Sequence, residues 1–241
     1  MPTEQLDPAG LVLRPAEVED ADALALIHVL ARRASPMPDP VHPDDDVRRW
    51  LRARLAEEAP GHEAWVAEVA GLPVGYARTA PGWLDDLYVQ PAHHGSGVGR
   101  ALLELVTARQ PDGFCLWVFE SNTPARAFYA RHGLVELERT DGQANEERAP
   151  DIRMAWPGSD PLGFLRRLVD EVDTQLGDLL ARRAALTRAI QPFKTTTERD
   201  PARERAVAEH LATRAPALGV ERLERIAHVV ITESLDAATS T

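Results

Sequence analysis

Apolar residues in the first two thirds of the chain come in short runs with two different periods. LVLRPA at 11–16 reads as a strand, and the stretch after it, as far as Arg33, has helical spacing with acids in its first turn. A proline-rich segment, SPMPDPVHPDDD, separates that helix from a second one around 47–58. EAWVAEVA and LPVGYARTA, joined through a glycine, predict a hairpin. WLDDLYV predicts a further strand, GRALLELVTAR a helix, GFCLWVF a strand, and TPARAFYARHG a helix closed by Gly133. LVELERT and DIRMAW end the series as paired strands. This interleaving predicts an α/β layer structure, a mixed central sheet with flanking helices, over 1–157.

Beyond Trp156 the pattern changes. PGSDPLG has the composition of a linker, placed at 158–163, and strand signals stop after it. Leu165, Leu168, Val172, Leu176, Leu179, Leu186 and Ile190 recur at helical spacing over about seven turns. Two shorter helices follow, at about 201–214 and 220–237. The expected division is an α/β domain at 1–157, a linker at 158–163 and an all-α three-helix domain at 164–241.

Composition narrows the function classes. No apolar run approaches the roughly 18–20 residues of a membrane span, and MPTEQLDPAG lacks the basic and apolar stretches of a signal peptide. No membrane partner and a cytoplasmic location are therefore expected. The net charge is −11, of which residues 1–157 carry −10, with 15 Arg against 25 Asp and Glu. That sign argues against nucleic acid as a partner. Cys115 is the sole cysteine, so disulfides and thiolate metal clusters are excluded, and no metal is expected.

The most informative stretch is LYVQPAHHGSGVGRALLEL, residues 87–105. A strand end runs through Pro91 into a loop holding Gly95, Gly97 and Gly99, then directly into an apolar-periodic helix. Glycines let backbone amides approach an anion, and the helix N-terminus adds unpaired N–H groups, so the loop suits a pyrophosphate. The dinucleotide fingerprint fails because Arg100 or Leu102 stands where its last glycine is needed, and a P-loop fails for want of G-K-[ST]. V-x-P-x-x-x-G-x-G-x-G-R resembles the acetyl-coenzyme A motif of the GNAT superfamily of N-acetyltransferases, with His94 where Arg or Gln is usual. The resemblance implies acetyl-CoA as co-substrate, with His94, Gly95, Gly97, Val98, Gly99 and Arg100 around its pyrophosphate. The strand at Leu87 and Val89 would pair with the pantetheine arm.

FESNTPARAFYARHGL, residues 119–134, resembles the GNAT segment N-x-x-A-x-x-F-Y-x-x-x-G-F, with Leu134 for the final Phe. By that resemblance Asn122 contacts the cofactor arm and Tyr129 is the general acid toward the departing thiolate; an aromatic at this helical spacing also serves as core. Asp85 and Asp86 are candidate bases for the amine. Alternation on a strand sends adjacent side chains to opposite faces, so one of the two is expected at the acceptor. The acceptor, a small-molecule amine, is expected between segments 34–47 and 139–151. The acids at 44–46 are assigned no site role.

LRRLVDEVDTQLGDLLARRAALTRAIQPFK, residues 165–194, resembles the first helix of the all-helical chorismate mutases, and the likeness extends over 163–238. It implies Arg166, Arg183, Lys194, Arg203 and Glu204 as site residues for a chorismate-like dicarboxylate, Arg166 acting across an intertwined homodimer. Arginines grip carboxylates bidentately and an ammonium suits an ether oxygen. Arg183 and Lys194 are spaced to share one helix face, and Lys194 is the only lysine in the chain. Ala238 stands where the family has a Gln or Glu. The chain is thus expected to join an acetyltransferase to a mutase that converts chorismate, or an amino analogue, to prephenate, and an aminated chorismate relative or its aromatic amine product could link the two. A dimerisation or ligand-sensing module and an isochorismate pyruvate lyase are the alternatives for the helical domain.

Overall fold

The computed structural model describes residues 10–57, 59–193 and 200–239. Contacts divide the chain into two units, Met1–Leu165 and Arg166–Thr241.

The first unit is built on strands β1 (Leu11–Pro15), β2 (Glu63–Val69), β3 (Leu72–Ala80), β4 (Trp83–Val89), β5 (Phe114–Phe119), β6 (Val135–Thr140) and β7 (Asp151–Trp156). They form one sheet in the order β1-β2-β3-β4-β5-β7-β6, antiparallel except between β4 and β5. The β2–β3 hairpin closes through Ala70 and Gly71, both at positive φ, which matches the twist of the paired strands.

Helices cover both faces of the sheet. α1 (Ala21–Arg33) and α2 (Asp44–Ala56) pack Leu24, Ile27 and Leu51 against Val66 and Tyr76. α2 starts three residues earlier than its apolar pattern suggests, because Asp44, Asp45 and Asp46 form its first turn, where the helix dipole favours acids. On the other face α3 (Val98–Arg109) buries Val98, Leu102 and Val106, and α4 (Thr123–Arg131) buries Tyr129. Gly75 on β3 lets α3 lie close: a Cβ there would stand 3.0 Å from Val98 Cγ1 and 3.1 Å from the Tyr88 carbonyl oxygen.

β4 and β5 pair at a single position, Trp83 with Cys115, and then diverge. Parallel strands that part in this way leave a V-shaped opening inside the sheet. The opening carries the candidate site.

The helical unit comprises most of α5 (Pro161–Ile190), with α6 (Pro201–Arg214) and α7 (Val220–Thr239). α5 begins inside the segment read as linker, and Phe164 in its first turn, itself part of the first unit, is buried against Gly113. Asp200 caps α6 by accepting from the amides of Ala202 and Arg203. Ala208, Leu223, Ala227 and Ser234 form the buried seam of α6 and α7. Among the described residues no helix is long and apolar enough to cross a membrane.

Candidate active site

At the mouth of the opening the glycine loop takes the form its composition predicts. Gly95 and Gly97 have φ of 78° and 94°, and nothing lies within 4 Å of where a Cβ would stand, so the loop presents bare backbone. Gly97 is the N-cap of α3, and the Val98, Gly99 and Arg100 amides open its first turn. The Val98 side chain is core, whereas Arg100 is exposed and paired with Glu104 at 2.7 Å. His93, His94, Arg100, Arg131 and His132 line a cavity of about 440 Å³ here, which sets two arginines and three imidazoles together on an otherwise acidic domain. His94 does more than lend its amide. Its Nε2 lies 3.0 Å from the Val89 carbonyl oxygen and ties the loop to the end of β4.

Register decides which backbone groups of β4 are free. Tyr88 pairs with Tyr76, and the Gln90 amide donates to the Val74 carbonyl at 2.8 Å. Antiparallel alternation therefore turns the N–H and C=O groups of Leu87 and Val89 toward the opening, where the Val89 carbonyl already meets His94. This is the edge the sequence assigned to a pantetheine arm.

Deeper in, a cavity of about 460 Å³ is lined by β4 and β5, by Asn122 and Tyr129, by Met37 before α2, and by Thr140, Asn145 and Asp151 at the β6–β7 loop. Asn122 and Tyr129 line both cavities, so the two join around them. Asn122 caps α4, accepting from the Ala125 amide at 3.3 Å. Tyr129 is buried, and burial holds its phenol well above the ordinary tyrosine value, so it keeps its proton at neutral pH. Both segments expected to shape the acceptor site, 34–47 and 139–151, contribute to this wall, and polar contacts at and just before the first segment reach the second. Arg32 reaches Glu147 at 2.9 Å and His42 Nε2 lies 2.7 Å from Glu146.

The carboxylates on β4 depart from strand alternation. The β3–β4 register shifts between Arg78 and Thr79, leaving Asp85 as an extra residue opposite β3. The bulge turns both acids to one side. Asp86 Oδ2 lies 3.0 Å from Arg78 Nε, though without hydrogen-bond geometry, and Asp85 Oδ2 lies 3.5 Å from Arg78 Nη2. Both acids line the deep cavity. Asp86 is buried, and desolvation pushes its carboxyl up to about 6 against the opposing pull of Arg78. Asp85, more exposed, is raised too, again by burial. The Arg78 guanidinium stacks over the Trp50 ring at 4.5 Å. Nearby, His28 Nδ1 lies 2.9 Å from the Tyr76 hydroxyl, and burial lowers the imidazole to about 4, so it is neutral. No sequence signal marked Arg78, Trp50 or His28; they sit in ordinary helix and strand patterns.

In the helical unit Arg183 donates to the Val230 carbonyl at 3.1 Å, and the buried Ser234 hydroxyl donates to the same oxygen at 2.6 Å. Glu204 faces His228, with Oε2 3.9 Å from Nδ1. Arg166 and Arg203 are exposed. The α-helix ends at Ile190 and gives way to a 3-10 turn at Gln191–Phe193 containing Pro192, so one continuous helix face does not run on from Arg183 toward Lys194, which itself lies outside the described residues.

A mixed sheet splayed between its one parallel pair, with a glycine loop leading into a helix at the mouth, defines the GNAT acetyltransferase fold. Residues 60–136 match the acetyltransferase (GNAT) domain family, and residues 165–238 match chorismate mutase type II. The chain joins a GNAT N-acetyltransferase domain to a chorismate mutase type II domain. Among solved structures it is similar to the GCN5-related N-acetyltransferase of Rhodopseudomonas palustris, at 27% identity over 61% of this chain and 96% of that one, with a TM-score of 0.50. It is also similar to apo YjaB of Escherichia coli (24%, over 62% and 99%, TM-score 0.50) and to a GCN5-related N-acetyltransferase of Kribbella flavida (21%, over 63% and 99%, TM-score 0.51). No curated protein matches.

Proposed function

We propose that the first domain transfers the acetyl group of acetyl-CoA to a small-molecule amine in the β4–β5 opening. The observation that carries this reading is the junction of two cavities at Asn122 and Tyr129. One is ringed by bare glycine backbone with Arg100 and Arg131, the other walled by Asp86. The glycine loop and the α3 N-terminus would hold the pyrophosphate, and the backbone groups of Leu87 with the Val89 N–H would hold the pantetheine arm, the Val89 carbonyl being taken by His94. Acetyl-CoA supplies an activated acyl group; the protein supplies placement and proton transfer. Asp86 accepts a proton from the bound ammonium, which frees the nitrogen lone pair for the acyl carbon. Tyr129 Oη gives its proton to the sulfur as the C–S bond breaks, and the proton shed by the acylated nitrogen restores the phenol. Thiol release from acetyl-CoA in the presence of an amine panel tests the reading. Amine-dependent release is expected, and its complete absence would overturn the reading.

For the second domain we propose a homodimer that binds a chorismate-like dicarboxylate. Arg166 and Arg183 are about five turns, roughly 25 Å, apart along α5, too far for one small dicarboxylate to touch both within a chain. A second copy laid along α5 removes that obstacle. The helix supports such packing, because Leu165, Val169, Val172, Leu176, Leu179, Leu186 and Ile190 are all exposed along one side. Chorismate rearranges without acid or base, so a cationic pocket that holds its compact conformer suffices for turnover. Ala238, which cannot hydrogen-bond an ether oxygen, favours the second reading, a dimerisation module without turnover. Chorismate consumption by the full-length protein, compared with Lys194→Ala, separates the two. Turnover lost in the variant supports the mutase, and no turnover in the wild type supports the module.

A further inference from the structure

The lining of the deep cavity restricts what the amine can carry. Three carboxylates reach it, from Asp85, Asp86 and Asp151, and no arginine, lysine or histidine does among the described residues. Asp151 is occupied: it accepts from the Thr140 hydroxyl, and from Asn145 Nδ2 at 2.9 Å, which pins the β6–β7 loop. Asp85 and Asp86, which share Arg78 between them, also face the cavity. The rest of the wall is largely apolar and includes Met37, Leu84, Leu116, Val118 and Phe119.

Two arginines stand behind this wall, each held by native acids, though Arg32 Nε and Arg78 Nη1 are buried without a hydrogen-bond partner among the described residues. Arg32 donates to Glu147 at 2.9 Å and to the Pro38 carbonyl at 3.5 Å, with its Nε buried. Arg78 is held by Asp86, Asp85 and the face of Trp50. Neither lines the cavity. A carboxylate on the acceptor would enter a partly desolvated, negative space whose lining holds no cation among the described residues, and the arginines behind it are already held by native acids.

We propose that the acetyl acceptor is a primary amine bearing no carboxylate. Its ammonium is drawn to Asp86, and its apolar body lies against Leu116, Val118 and Phe119. The inference rests on the acetyltransferase reading above and goes beyond it by fixing the substrate class. It excludes α-amino acids and amino-substituted relatives of chorismate as acceptors. The two domains then act on different molecules, and any link between them runs through a carboxylate-free amine.

Matched pairs that differ only in the carboxylate test this on the full-length protein: phenethylamine against phenylalanine, tryptamine against tryptophan, and agmatine against arginine. Thiol release gives kcat/KM for each, and calorimetric titration with acetyl-CoA is run on the same sample. In each pair that reacts, the amine is expected to exceed the amino acid by about tenfold or more, the penalty of one like charge at close range in a partly screened site. Glu147→Gln, which releases Arg32, is expected to narrow that gap. Amino acids taken as well as their amines, or a panel in which no carboxylate-free amine reacts while acetyl-CoA binds, would overturn the inference. Failure to bind acetyl-CoA would instead overturn the acetyltransferase reading beneath it.

Discussion

Asp86 and Arg78 face each other across neighbouring strands, with Oδ2 3.0 Å from Nε, and yet the carboxyl titrates higher than a free one. Burial outweighs the ion pair. A lone carboxylate beside an arginine would fall below its ordinary value, but Asp86 is almost fully desolvated, and the second acid of the bulge, Asp85, adds repulsion. The result is a group poised near neutrality, as a base for amines requires, and held in place by Arg78, which Trp50 in turn supports.

This arrangement has a stability signature. Asp86 is raised from 3.8 to about 6 in the folded protein, so between those values the folded state binds the extra proton. Its contribution to stability is therefore lost as pH rises from about 4 to about 6. Denaturant titrations of wild type and Asp86→Asn should show the variant gaining on the wild type across that window, by about 2 kcal/mol, with no further gain above pH 7. A difference that is flat with pH would contradict the burial account.

Tyr129 is expected to act in the chemical step alone. Tyr129→Phe keeps the ring in the core, so acetyl-CoA affinity measured by calorimetry should be unchanged while kcat falls about 100-fold. Equal loss in affinity and rate would assign the ring to packing.

Much of this was legible in the sequence and some was not. Gly95 and Gly97 announced a loop of bare backbone, and both take the positive φ that glycine allows, while the apolar periods placed nearly every element. The bulge left no trace: Asp85 and Asp86 read as opposite faces, whereas one extra residue against β3 brings both to Arg78. Long-range polar pairs were equally invisible. Arg32–Glu147 and His42–Glu146 join segments more than a hundred residues apart, and nothing local encodes them. At position 94 the imidazole ties the loop to Val89, a side-chain role that the motif alone does not suggest.

Close packing between α3 and the sheet gives a test of the fold that spares the site. Gly75→Ala would place a methyl 3.1 Å from the Tyr88 carbonyl oxygen, a backbone atom that cannot swing aside. A loss of about 1–3 kcal/mol is expected in chemical denaturation.

The exposed side of α5 predicts an assembly. Leu176 and Leu179 are 50% and 60% exposed in the single chain, and a second copy would bury them. Light scattering should give a dimer for the wild type and a monomer for the double variant Leu176→Glu, Leu179→Glu. A monomeric wild type at micromolar concentration would contradict the shared-helix arrangement.

The central claim, acetyl transfer to an amine with Asp86 as base, is tested most directly by the pH dependence of kcat/KM for amine acetylation in wild type and Asp86→Asn. The account predicts a rising limb with an apparent pKa near 6 in the wild type, and in the variant a rate lower by about 100-fold with that limb gone. Superimposable profiles would contradict it.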